Sequence, residues 1–106
     1  LSSEPDAVFI ASDTMAFGAI RAIEEAGMSV PDDIAIVSFD DLPPAMNARP
    51  PLTVIRHPVR RTGLTAVDTL MDMLENGKSP PRRIILDTQL IVRDSCGAKK
   101  KMWVSA

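Results

Sequence analysis

The sequence predicts an α/β fold, a parallel sheet with flanking helices, and three observations carry that prediction. Two short continuous apolar runs, Ala7–Ala11 and Ile34–Phe39, have the pattern of strands covered on both faces. Between them Met15, Ala16, Ala19, Ile20, Ile23 and Ala26 recur at spacings of three and four, which is the apolar stripe of one helix. Short links join the three segments, so they read as a βαβ unit with parallel strands.

Each element has its own local reasons. Ser12 and Asp13 close the first strand, and both are good helix caps. Gly27 stands where a helix-terminating glycine belongs, and Pro31 prevents continuation. Asp40-Asp41 closes the second strand. Four of the nine prolines fall between Leu42 and Pro51, which reads as a surface loop. Leu52–Ile55 is a short strand ended by His57-Pro58. Leu64, Val67, Leu70, Met71 and Leu74 mark a second helix that Gly77 stops. Lys78–Arg83 reads as a turn, and Ile84–Leu86 and Leu90–Val92 as extended segments around an irregularity at Asp87–Gln89. From Ser95 onward the chain is small, polar and basic, with Lys99, Lys100 and Lys101 in a row, and a frayed end is expected. The domain is placed over residues 1–96, with residues 97–106 as a disordered tail.

Composition narrows the function classes. With 45% hydrophobic and 25% charged residues the chain has ordinary globular proportions, so disorder is not the default. A net charge of −2 without a basic stripe in the folded part argues against nucleic-acid binding by these residues. No apolar run approaches the roughly 20 residues that span a bilayer, and no signal-peptide pattern opens the chain. A single cysteine, Cys96, cannot close an internal disulfide and fits a reducing compartment. The chain opens with Leu1 and soon enters a strand, so a preceding segment is expected.

The chemistry is expected where strands end. In open parallel sheets, ligands bind beyond the carboxyl ends of the strands, at a topological switch point. Ser12-Asp13 and Asp40-Asp41 follow two such ends, and neighbouring strands lie only about 5 Å apart. Carboxylates there accept charge-assisted bonds from hydroxyls, which suits polyols and sugars. Taken singly, Asp13 is better explained as a helix cap, and one of Asp40 and Asp41 as a turn cap. Their joint placement favours a ligand. His57 is the lone histidine and has neither a partner histidine nor a second cysteine for a metal site, and no nucleotide or nucleophile-elbow motif is present. An enzyme is therefore disfavoured, and no cofactor or metal is expected. Phe17, Ile20, Arg21 and Glu24 lie on overlapping faces of the first helix, and Phe17 sits off the centre of the Ala16-Ala19-Ile23 stripe. They read equally as part of a wrapped core or as a seam for a second subunit.

Read in order, several stretches resemble the LacI/GalR repressors and their periplasmic sugar-binding relatives. They are Pro5-Asp6-Ala7-Val8-Phe9-Ile10-Ala11-Ser12-Asp13, Met15-Ala16-Phe17-Gly18-Ala19, Ala26-Gly27, Val30-Pro31-Asp32-Asp33-Ile34, Val37-Ser38-Phe39-Asp40-Asp41 and Pro51-Leu52-Thr53. A closing stretch, Leu86-Asp87-Thr88-Gln89-Leu90-Ile91-Val92-Arg93-Asp94-Ser95-Cys96, completes the set. The Phe-Asp-Asp strand end and this closing stretch favour the repressors. The resemblance implies a two-lobed periplasmic-binding-protein-like type I fold, of which this is the C-terminal lobe plus crossover elements. It implies effector contacts at Ser12 and Asp40, so the candidate effector set is Ser12, Asp13, Asp40, Asp41, His57 and Val59. His57 replaces a usual Gln at the crossover, Val59 stands where some members place an aromatic ring, and Ser38 replaces a common Gly with little expected consequence.

The resemblance also implies a homodimer through Phe17, Ile20, Arg21 and Glu24 and the loop near Met46. Leu52–Ile55 would cross between lobes, and a helix from about Val59 to Asn76 would pack in the other lobe. The implied partner is a sugar-like small molecule in a cytoplasmic regulator that shifts between lobe arrangements. Operator DNA would be reached only through an N-terminal headpiece absent from this sequence. The chain by itself is expected to bind effector weakly and DNA not specifically. A fragment of a periplasmic transport or chemotaxis protein is the alternative, and an α/β enzyme a third. A helix-turn-helix or a signal peptide upstream would separate the first two.

Overall fold

The computed structural model describes residues 5–77 and 82–99. Along the chain run β1 (Ala7–Ile10), α1 (Asp13–Glu25), β2 (Ala35–Asp40), α2 (Pro43–Asn47), β3 (Thr53–Arg56), α3 (Val59–Asn76) and β4 (Gln89–Ile91). Two compact units result, one of Leu1–Arg56 with Gln89–Ala106 and one of His57–Thr88.

The first unit carries a four-stranded sheet in the order β1-β2-β3-β4. β1 pairs parallel to β2 with Ile10 beside Ser38, and β2 pairs parallel to β3 with Asp40 beside Arg56. The final pair is antiparallel, with Arg56 beside Gln89, so the sheet is mixed at that edge. Strand order follows chain order without reversal, so these four strands contain no topological switch point. The expectation of a ligand crevice therefore rests on the polar strand ends alone.

Local chemistry shapes α1 as the sequence suggests. Ser12 is the cap: its backbone is extended and its hydroxyl accepts the Met15 N–H at 3.2 Å. At the other end Gly27 takes a φ of +80°, which glycine adopts without a Cβ penalty. The Met28 N–H then reaches the Ile23 carbonyl at 3.1 Å and the Gly27 N–H reaches Glu24 at 3.0 Å, the paired bonds that close a helix on a glycine. The buried face of α1, Ala16 and Ile20, packs with Ile36, Ala45, Leu52 and Val54 into one small core.

Four expectations are corrected. β1 is not covered on both faces: it is an edge strand, with Val8 36% and Phe9 58% exposed. An apolar run signals what a strand can tolerate; the cover itself must come from elements packed on the sheet's faces, and among the described residues β1 pairs with β2 alone. Within the proline-rich stretch, Pro43–Asn47 forms a short helix with prolines in its first turn, where a missing N–H costs nothing, and it buries Ala45 completely. Ile84–Leu86 forms no strand; pairing resumes only at Gln89, the residue expected to interrupt it. Finally, Ser95 is fully buried instead of frayed, and beyond it Lys99 lies 3.6 Å from Asp94. The remainder of the expected tail and part of the Lys78–Arg83 turn lie outside the described residues.

In the second unit α3 has the expected extent and ends at Gly77, whose φ is +76°. It buries none of its residues, and Leu64, Val67, Leu70, Met71 and Leu74 are all exposed. An amphipathic helix gains most of its stability by packing its apolar face, and among the described residues nothing buries that of α3.

Candidate functional site

The carboxyl ends of the parallel strands gather most of the polar residues singled out above. Ser12 follows β1 and Asp40 ends β2. The last residue pair in register between the two strands is Ile10 with Ser38, and Ser12 and Asp40 each lie two residues beyond it along the chain. Both are partly exposed. The Ser12 hydroxyl accepts one bond from the helix and still has a proton to donate.

Asp13 and Asp41 are placed differently. Asp13 is fully buried; one carboxylate oxygen accepts the Ser38 hydroxyl at 2.5 Å and the other the Leu42 N–H at 2.6 Å. It joins the start of α1 to β2 and to the chain beyond it, and presents nothing to solvent. The cap belongs to Ser12 instead. Ser38, expected to matter little, is the buried donor of this contact. A serine inside the apolar run Ile36-Val37-Ser38-Phe39 was the available signal, because a buried hydroxyl requires a partner.

Asp41 is held by two arginines that the sequence reading did not single out. Arg56 Nε lies 2.7 Å from Oδ2, while Arg93 Nη1 lies 2.8 Å from Oδ1 and Nη2 3.3 Å from Oδ2. Only 9% of the Asp41 side chain and 12% of that of Arg93 is exposed. The Arg93 hydrogen bond is the main force holding the Asp41 carboxyl below its ordinary range; it outweighs the opposing effect of burial, and the bond from Arg56 adds to it. Asp40 and Asp41 have φ values of +133° and +73°, in the region that L-residues avoid. Of the acid pair, then, Asp41 is committed to arginines, and Asp40 is the last residue of β2.

Ser95 makes a second buried junction. Its hydroxyl accepts the Thr53 N–H at 2.8 Å and donates to the Ile36 carbonyl at 2.6 Å, and its own carbonyl accepts the Ile36 N–H at 2.8 Å. One residue thus satisfies both β2 and β3 where their pairing begins.

The remaining candidates lie elsewhere. His57 and Val59 open the second unit; His57 is partly buried and Val59 is 59% exposed. On α1, Phe17, Ile20, Arg21 and Glu24 line a concavity of about 250 Å³ together with Ala48 and Arg49. Ile20 also belongs to the core, at 6% exposed, and Arg21 is bonded along the helix to Glu25 at 3.2 Å. Met46 on α2 is 60% exposed. Among the described residues no group of three potential metal ligands occurs, and no helix is long and apolar enough to cross a membrane.

Comparison with known proteins agrees with this architecture. The family described as "Periplasmic binding protein-like domain" matches residues 1–96. The HTH-type transcriptional repressor MelR of Bacillus subtilis is 48% identical over 97 residues, which are 92% of this chain and 28% of that protein. The Lactose operon repressor of Rhizobium radiobacter is 46% identical over 100 residues, 94% of this chain and 86% of that protein. In a solved complex of the transcriptional regulator CelR with cellobiose, the matching region superposes with a TM-score of 0.76 at 39% identity; it covers 85% of this chain and 28% of that one. This chain belongs to the periplasmic binding protein-like domain family, and within it to the LacI-type regulators, as part of their effector-binding domain. It spans just over a quarter of the length of MelR, and the relatives are regulators, not enzymes.

Proposed function

We propose that this chain is the effector-sensing and subunit-pairing portion of a cytoplasmic LacI-type transcriptional regulator, and that Ser12 and Asp40 hydrogen-bond the hydroxyls of a sugar. The observation that supports this most is that Ser12 follows β1 and Asp40 ends β2, at the carboxyl ends of two adjacent parallel strands. A hydroxyl donor and acceptor beside a carboxylate acceptor matches a vicinal diol, and a charge-assisted bond contributes about 1.5–3 kcal/mol. The cellobiose bound by CelR has chemistry of this kind. Asp13 and Asp41 support the site from within and do not contact the ligand.

The experiment is calorimetric titration of the full-length regulator with cellobiose, lactose, sucrose and ribose, repeated with Asp40→Asn. At least one sugar should bind, and the substitution should weaken it about tenfold or more, the equivalent of about 1.4 kcal/mol. Undiminished affinity in Asp40→Asn refutes the assignment.

The pairing half of the proposal draws on the concavity beside α1. Phe17, Ile20 and Ala48 give it an apolar floor, and Arg21, Glu24 and Arg49 a charged rim. That arrangement, apolar centre and polar border, is typical of subunit interfaces.

A further inference from the structure

The reversal at the end of β2 is strained and yet firmly held. Positive φ at a non-glycine residue costs about 1–3 kcal/mol, and such a conformation lasts only where its surroundings over-determine it. Asp40 and Asp41 adopt it in succession. On the far side of the pair, the Leu42 N–H is bound by buried Asp13 at 2.6 Å. On the near side the restraint is Asp41 itself, clasped by Arg56 from the end of β3 and by Arg93 from just beyond β4.

Arg93 is well anchored before it meets Asp41. Its backbone N–H donates to Thr53 Oγ1 at 2.9 Å, and Nη1 also donates to the Leu52 carbonyl at 2.9 Å. A planar guanidinium can serve a carbonyl and both oxygens of a carboxylate at once, whereas an ammonium presents one compact charge. Arg93 therefore does more than neutralise Asp41: it dictates where Asp41 sits, and so the backbone direction one residue earlier.

We infer that Arg93 is a positioning residue for effector recognition, whose fork on Asp41 holds the two-residue reversal and thereby aims the Asp40 carboxylate. This rests on the reading of Asp40 as a sugar contact. Arg93 does not touch the sugar; it acts through Asp41 and the strained backbone. Lysine at this position keeps the charge and loses the fork.

Two measurements on the full-length protein test the inference. The first needs no ligand: crystal structures of Arg93→Lys and Arg93→Gln should show Asp40 or Asp41 relaxed to negative φ. Retention of both positive φ values in the Lys variant overturns the inference, even if the Gln variant fails to fold. The second is a double-mutant cycle, read as affinity for cellobiose, lactose, sucrose and ribose. Arg93→Lys should weaken the best-bound sugar about tenfold in the parent and less than about twofold in an Asp40→Asn background, because the carboxylate it aims is then gone. Equal losses in both backgrounds overturn the positioning role, while the effect of Asp40→Asn alone keeps the sugar contact standing. If Asp40→Asn alone changes nothing, or none of the four sugars binds the parent, the sugar-contact reading fails and the inference falls with it.

Discussion

Replacing Asp13 with alanine should be among the most damaging single changes in the first unit. The carboxylate is fully buried and accepts from two donors, the Ser38 hydroxyl and the Leu42 N–H. A buried polar group left without its partner costs about 1–3 kcal/mol. Ser38 is completely enclosed, so its orphaned hydroxyl belongs near the top of that range. Leu42 is 39% exposed, so water can recover part of the loss there. Together these give about 3–4 kcal/mol for Asp13→Ala, a large part of the roughly 5–15 kcal/mol that stabilises a typical domain. Ser38→Ala should cost about 2 kcal/mol, because it strips one donor from a buried carboxylate.

The double variant should cost only about 1–2 kcal/mol, less than Asp13→Ala alone, because neither the Ser38 hydroxyl nor the Asp13 carboxylate remains to be orphaned and only the Leu42 N–H loses its partner. Urea denaturation reads this directly. At a slope of about 2 kcal/mol per molar urea, Asp13→Ala moves the midpoint down by nearly 2 M. Strictly additive losses, or an Asp13→Ala cost below about 1 kcal/mol, would refute the claim that this buried pair locks α1 to β2.

Other outcomes follow from the same geometry. Ser95→Ala strands the Thr53 N–H and the Ile36 carbonyl and should cost about 2–4 kcal/mol; an unchanged urea midpoint would show that Ser95 does not join β2 to β3. Because Arg93 and then Arg56 depress the Asp41 carboxyl below its ordinary value of 3.8, its contribution to stability is complete above that value and drains away as pH falls through the lower, folded-state value. Asp41→Asn should therefore be less stable than the parent at about pH 6, with the gap closing toward about pH 3; a gap independent of pH contradicts the arginine grip. Phe17→Asp puts a charge on the apolar floor beside α1 and should shift sedimentation from dimer to monomer, whereas an unchanged dimer would remove α1 from the interface.

The features legible along the chain are those written in local chemistry. The β1–α1–β2 unit, the start of α1 at Ser12-Asp13, the stop at Gly27 and the extent of α3 depend on residues within a few positions of one another. Periodicity and terminator residues report them, although the pattern favours Asp13 as the cap and Ser12 takes that role. The acid-bearing end of β2 was legible for the same reason. Which polar residues serve the fold depended on long-range pairing. Asp13 finds Ser38 across 25 residues, and Asp41 finds Arg93 across 52; no spacing rule joins such pairs. Tertiary structure likewise made β1 an edge strand and drew Ser95 inward to link β2 and β3. A run of side chains states how a segment prefers to fold, but burial and charge pairing depend on whatever the rest of the chain brings alongside it.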